Sequence, residues 1–211
     1  MVVAKAPVPG LAKTRLAVAV GEQAAADIAA AALLDTLDAV ADTPAVHRMV
    51  AMTGDLGRAC RADEIQTRLR DFTVIEQRGA GFADRLANAH ADAAALNQPV
   101  LQIGMDTPQV SANLLGACAR RLLTVPAVLG MACDGGWWVL GVTDGAIAEC
   151  LRDVPMSQAD TGAVTLAALQ HTVTSVSLVE ELHDVDTVDD IPSVRAACQP
   201  SSRFAEVTQG V

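Results

Sequence analysis

The sequence predicts an α/β fold with a mostly parallel sheet covered by helices on both faces. Three observations carry this. Short, near-continuous apolar runs alternate with longer Ala/Leu segments of helical period. The runs read as strands buried on both sides, as strands of parallel sheets are. Loops rich in Pro or Gly, among them 6–13 and 77–82, close several of the runs. One departure is expected. Runs at 126–131 and 137–142 are joined by a short turn, which suits a local antiparallel pair.

Taken in order, residues 1–6 read as a strand, and 6–13 (APVPGLAK) as a loop, because Pro7, Pro9 and Gly10 break both helix and central strand. Thr14 is placed to cap a short helix to Val20. The Ala/Leu segment 22–40 is a long helix and 46–52 a strand. Residues 55–70 are mostly helical, 72–76 a strand, 77–82 (QRGAGF) a Gly-rich loop, and 83–96 a helix. The stretch 99–110 (PVLQIGMDTPQV) organises the chain: a strand to Met105, then Asp106 just past its carboxyl end, where open α/β sheets place ligands. Ser111 caps a helix to Leu123. Short helices at 144–151 and 159–170, a strand at 173–178, an acidic segment at 182–186 and a helix at 188–198 complete a single domain, 1–198. Residues 199–211 read as a polar, loosely held tail.

The chain has 211 residues, enough for one sizeable core, and is 51% hydrophobic. No run reaches the ~18 apolar residues of a membrane span, and no secretory leader is visible at 1–10. Five Cys without a CxxC pair read as reduced thiols, and four His without HxxxH spacing argue against zinc; both suit a cytoplasmic protein. The net charge of −10, with no Lys/Arg run, excludes a nucleic-acid surface. A small phosphorylated ligand stays open, given a few placed cations or a divalent metal.

Four stretches carry chemistry. Lys13 and Arg15 stand at a helix start, where cations oppose the helix dipole, which makes sense if an anion docks beside them. The loop is not a Walker A motif, since Pro7 and Ala12 stand where glycine is needed. Gly79 and Gly81 allow close approach of backbone to a ligand, and Arg85 follows them. Asp134–Gly135–Gly136 makes a sharp turn into Trp137 and Trp138, which point to opposite faces of a strand. Residues 184–190 (DVDTVDD) crowd four carboxylates into seven positions, unfavourable without solvent or a cation. Thr187 as a helix cap accounts for Asp189 and Asp190 in the first turn; Asp184 and Asp186 are less easily explained.

In this order AKAPVPGLAKTRL, QRGAGFADRL, GMDTP, DGGWWVLG and DVDT resemble the bacterial glycosyltransferase-A-like transferases known as domain of unknown function 2064. That family is similar to phospholactate guanylyltransferases and molybdopterin-cofactor nucleotidyltransferases. The resemblance covers about residues 2–191. It implies a three-layer α/β/α sandwich of the glycosyltransferase-A type that binds a nucleoside triphosphate or nucleotide sugar and a small-molecule acceptor. It implies Mg2+ or Mn2+ on Asp106 and Asp186, and phosphates on Lys13 and Arg15 beside Pro9 and Gly10, with Gly79, Gly81 and Arg85 contributing. It further implies an acceptor held by Gly135, Gly136 and Trp137 and oriented or deprotonated by Asp134. Met131, Cys133 and Met156 depart from the family pattern on the acceptor side. The expected activity is nucleotidyl or glycosyl transfer, with Asp106, Lys13 and Asp134 catalytic. A catalytically silent nucleotide- or partner-binding module on the same fold is the alternative, and the Ala-rich helices leave a homodimer open.

Overall fold

In a computed structural model the protein is described over residues 1–45 and 47–211. In chain order the elements are β1 (Val2–Lys5), α1 (Thr14–Val20), α2 (Glu22–Asp42), β2 (Met49–Thr53), α3 (Ala62–Leu69), β3 (Thr73–Glu76), α4 (Phe82–Ala94) and β4 (Val100–Ile103). They continue as α5 (Ala112–Leu122), β5 (Ala127–Ala132), β6 (Trp137–Val142), α6 (Thr161–Thr172), β7 (Val176–Leu182), α7 (Ile191–Ala197) and α8 (Arg203–Val207). Short 3-10 helices occur at Leu56–Arg58, Gly145–Asp153 and Val188–Asp190. The fold is of the α/β class with a mostly parallel sheet.

The chain divides into two compact units. One comprises residues 2–75, 105–115 and 183–211. Its strands lie in the order β3-β2-β1, and β1 pairs parallel with β2, Val2 facing Val50 and Lys5 facing Thr53. Both strands are buried along most of their length, which explains their unbroken apolar sequence. Helix α2 buries Ala25, Ala26 and Ala29–Ala32 together with Leu33, Leu34 and Leu37. Alanine combines the best helix propensity with a side chain small enough to bury on several sides of one helix. Leu16 of α1, Ile28 and Ala32 of α2, Val185, Ile191, Val194 and Phe204 form one apolar cluster.

The other unit comprises Met1 and residues 76–104 and 116–182. Its strands run β4-β6-β5-β7. Strand β6 is antiparallel to both β4 and β5, while β5 and β7 are parallel. The expected local reversal is therefore present, and the irregularity beside Gly130 brings Met131 opposite Trp137. Trp138 is the core-facing indole; it is buried and its Nε1 donates to the Glu180 carbonyl at 2.8 Å. Ser111 caps α5 as expected, its Oγ accepting from the Leu114 N–H at 3.2 Å.

Several boundaries differ from the sequence expectation. The predicted strand start at Val46 lies outside the described residues, and β2 begins at Met49. Thr14 is the first residue of α1 and does not cap it; Lys13 holds the cap position, in the left-handed region. Between 55 and 70 the helix is split, because Arg61 also takes a left-handed conformation. Strand β4 ends at Ile103, two residues early, and the sulfur of Met105 accepts the Lys5 N–H at 3.2 Å. Strand β7 lies further along than expected, because its register follows β5 as far as Leu182.

The largest difference is at the end of the chain. The stretch read as a loose tail contains α8, and Phe204 within it is fully buried. Asp35 of α2 accepts the Arg203 and Phe204 N–H groups at 3.1 and 2.8 Å, so a side chain distant in sequence satisfies the first turn of α8. Burial pushes the Asp35 carboxyl up, against the opposing pull of these donors and of the Arg203 guanidinium. Sequence reading misses this because one Phe in a polar stretch has no periodicity to reveal it. Phe204→Ala is expected to cost about 3–5 kcal/mol in a chemical denaturation curve. A loss under 1 kcal/mol would mean that the segment is not docked.

Candidate functional site

Strand β1 ends at Lys5, and the chain turns back through 6–12 before α1. The Pro-rich segment closes on itself: Leu11 and Ala12 N–H both donate to the Val8 carbonyl at 3.0 Å, and Lys5 Nζ donates to the Leu11 carbonyl at 2.6 Å. Pro9 and Gly10 form the turn, Gly10 at φ +76°. Lys13 follows at φ 47° and ψ 50°, a conformation uncommon outside glycine and found at constrained sites.

The ammonium of Lys13 sits between two carboxylates. Its Nζ lies 2.7 Å from Asp106 Oδ2 and 2.8 Å from Asp186 Oδ1. Arg15 reaches the other oxygen of Asp186, 3.2 Å away. The Lys13 side chain is only 9% exposed, whereas Asp106 and Asp186 are 36% and 34% exposed and Arg15 68%. Four residues singled out in the sequence thus form one cluster. The anions beside the cationic helix start are the chain's own.

Two loops carry the acids, and specific bonds tie them together. The Val185 N–H donates to the Asp106 carbonyl at 3.1 Å, and Gln109 Nε2 donates to the His183 carbonyl at 2.5 Å. Asp190 Oδ2 accepts from the Asp186 N–H (3.0 Å), the Thr187 N–H (2.6 Å) and the Thr187 hydroxyl (2.9 Å). Beneath them, Leu16 beside Arg15 and Val185 beside Asp186 are anchored in the cluster that holds Phe204. Sequence reasoning passed over Gln109 and gave Asp190 only a helix-dipole role. The Thr187-x-x-Asp190 spacing, a capping box with Asp in place of Glu, was the signal available for Asp190. Gln109 had none, because its partner is distant in sequence.

Electrostatics follow from this arrangement. Burial opposes the charge on Lys13, but the attraction and hydrogen bonds of Asp106 and Asp186 win and hold its ammonium well above the ordinary lysine range. Burial would raise the Asp186 carboxyl, yet Lys13 and then Arg15 bring it below the usual carboxylate range. A carboxylate lowered in this way contributes stability that is complete above the unfolded value, about 4, and is lost as pH falls through the folded one.

Chemically the pair suits a hard divalent ion. It offers partly exposed carboxylate oxygens, and Asp106 Oδ1 makes no ion pair among the described residues. Asp106 and Asp186 could each offer an oxygen to Mg2+ or Mn2+, and so could Asp184, which has a carboxylate oxygen within 4.8 Å of one on Asp186.

The remaining candidates belong to the other unit. Gly79 has φ +136°, and a Cβ there would meet Asp84 Cβ at 2.6 Å; Gly81 precedes α4, and Arg85 Nε donates to the Gly81 carbonyl at 3.4 Å. Asp134 Oδ1 accepts from the Gly136 N–H at 2.7 Å, a side-chain turn on an exposed corner. Gly135 has φ +92°, and a Cβ there would lie 1.8 Å from the Ala159 carbonyl oxygen, so the residue must be glycine. Its own carbonyl accepts the Gly162 N–H at 2.7 Å. Packing against 159–162 thus explains Gly135 without a ligand. Trp137 is half-buried.

Comparison with known proteins places the chain in a family. It belongs to the one described as "Uncharacterized protein conserved in bacteria (DUF2064)", whose profile matches residues 36–158. No curated protein matches it. Among solved structures it is similar to a protein from Desulfovibrio desulfuricans G20 assigned as a nucleotide-diphospho-sugar transferase, 22% identical with a TM-score of 0.85, covering 99% of this chain and 92% of that one. It is similar to a CMP:2-keto-3-deoxy-manno-octonic acid synthetase in complex with CTP, 12% identical, TM-score 0.58, covering 92% and 95%. A nucleotidyl transferase from Methanothermobacter thermautotroptrophicus is 16% identical, TM-score 0.56, covering 98% of each chain. The shared feature is the nucleotide-diphospho-sugar transferase fold. No described helix is long and apolar enough to cross a membrane.

Proposed function

We propose that the protein is a metal-dependent transferase that uses a nucleoside triphosphate or nucleotide sugar and transfers a nucleotidyl or glycosyl group to a small acceptor. The observation that carries this reading is the convergence of Lys13, Asp106, Asp186 and Arg15 at strand ends of an α/β sheet. Support comes from the fold shared with nucleotide-using transferases, one of them in complex with CTP. Asp106 and Asp186 hold Mg2+ or Mn2+, which when bound neutralises phosphate oxygens as charge develops on the leaving group. The metal also answers a charge problem: Asp106 and Asp186 already engage Lys13, so the cluster has little positive charge to spare for a polyphosphate.

The chain's own groups bind and orient. Lys13 and Arg15, beside Pro9 and Gly10, take phosphate oxygens. Gln109 keeps the two acid-bearing loops in register, and Asp190 holds the shape of the second one around Asp186. Asp134 orients or deprotonates the acceptor hydroxyl beside Gly135, Gly136 and Trp137, and Gly79, Gly81 and Arg85 keep the phosphate role that the family resemblance gives them. Catalysis of this kind is positioning and electrostatics.

A second reading is a catalytically silent nucleotide-binding module, favoured by one observation: Lys13 already satisfies both carboxylates. A thermal-shift panel of nucleoside triphosphates and nucleotide sugars, with and without Mn2+, separates the two. A specific nucleotide present at about 100 times its Kd should add about 2.7 kcal/mol of stability, and so raise the Tm, only with metal. Asp106→Asn should abolish that shift. A shift indifferent to both metal and the substitution would sink the metal-dependent reading.

A further inference from the structure

We infer that Lys13 is the resident cation of the acid pair, and that a divalent ion gains Asp106 and Asp186 only as this ammonium leaves them. The inference rests on the metal-assisted reading above and concerns how the site is loaded. Lys13 Nζ occupies the space between the two carboxylates, at 2.7 and 2.8 Å, almost out of contact with solvent. Arg15 adds a second positive group on Asp186 at 3.2 Å. A divalent cation placed on the same oxygens beside an unmoved ammonium would face strong like-charge repulsion at contact distance. The ammonium therefore has to be given another partner.

An incoming phosphate is such a partner. It is anionic, it suits lysine as a point charge, and the side chain that it would draw away is the one that blocks the acids. Metal and nucleotide then load together: each removes the obstacle to the other. Metal alone binds weakly because nothing replaces the acids as partners of Lys13. Nucleotide alone binds weakly because the acids keep the lysine. This is positive coupling between two ligands through one side chain, and it is reciprocal. The left-handed backbone of Lys13 fits a residue held in place by its side-chain partners.

Removing a cation from the site should therefore tighten metal binding while it weakens nucleotide binding. The test is titration of Mn2+ alone into the full chain, followed by the electron paramagnetic resonance signal of free Mn2+. Lys13→Met should bind Mn2+ at least ~10-fold more tightly than the wild type, since one positive charge has left the coordinating oxygens. Lys13→Arg should restore weak binding. Arg15→Gln, at an exposed position, should tighten binding by a smaller factor, ~2–3-fold, as expected of a solvent-screened charge. Should Lys13→Met fail to fold, Arg15→Gln decides: unchanged affinity overturns the inference. Equal or weaker Mn2+ binding by folded Lys13→Met also overturns it, while leaving the metal site itself in place. Absence of Mn2+ binding in the wild type and in Lys13→Met, with and without CTP, overturns the metal-assisted reading as well.

Discussion

Lys13→Ala is expected to destabilise the protein by about 2–3 kcal/mol and to reduce the proposed transferase turnover by at least ~100-fold. The stability loss arises because two carboxylates, held close by one ammonium at 2.7 and 2.8 Å, are left facing each other without it. The figure lies below the 3–5 kcal/mol typical of a broken buried pair, because water reaches about a third of each acid. A second substitution separates repulsion from a general loss of packing. Asp106→Asn in the Lys13→Ala background should recover part of the lost stability, since the surviving Asp186 no longer opposes a like charge. The double-mutant cycle should therefore depart from additivity by about 1 kcal/mol or more. Additive losses in urea denaturation would show that the three side chains do not act as one charge cluster. On the proposed function turnover should stay low in the double variant, because neither the cation assigned there to phosphate nor the acid has returned.

Acid should weaken the protein through a residue outside this cluster. His90, on α4, is completely buried, and burial above all holds its imidazole down to about 3. Gln102 lies beside the ring, yet neither ring nitrogen makes a hydrogen bond of good geometry. The folded state therefore keeps His90 neutral, while the unfolded chain protonates it near pH 6.5. Between those values the unfolded state binds the extra proton, so stability falls as pH falls, by up to about 1.4 kcal/mol per pH unit. The loss is absent above about pH 7, and across the window it amounts to a few kcal/mol. His90→Leu removes the proton site and two unsatisfied ring nitrogens. Its Tm should depend less on pH than the wild type's between pH 6.5 and 4. Equal slopes for the two proteins would show that His90 is not held neutral by the core.

Some features were legible in residue order alone. The alternation of apolar runs with Ala/Leu segments predicted the class of fold, and the short turn at 133–136 predicted the reversal at β6. The cations at 13 and 15 announced an anion by standing at a helix start where they oppose the dipole. The crowded carboxylates at 184–190 announced a cation in the same way. What they could not announce was that each was the answer to the other. The docking of α8 onto Asp35 and the grip of Gln109 on the 183–186 loop were equally hidden.

The division has a physical cause. Helix and strand preferences, turns and caps depend on neighbours a few positions away, so the order of residues is enough to state them. An ion pair depends on distance in space, and Lys13 meets Asp106 and Asp186 only once the ends of separate elements have been brought together. Charge and residue type therefore indicated that this region needed partners, while the packing of β1, α1 and the loops at 105–110 and 183–190 chose which partners it received.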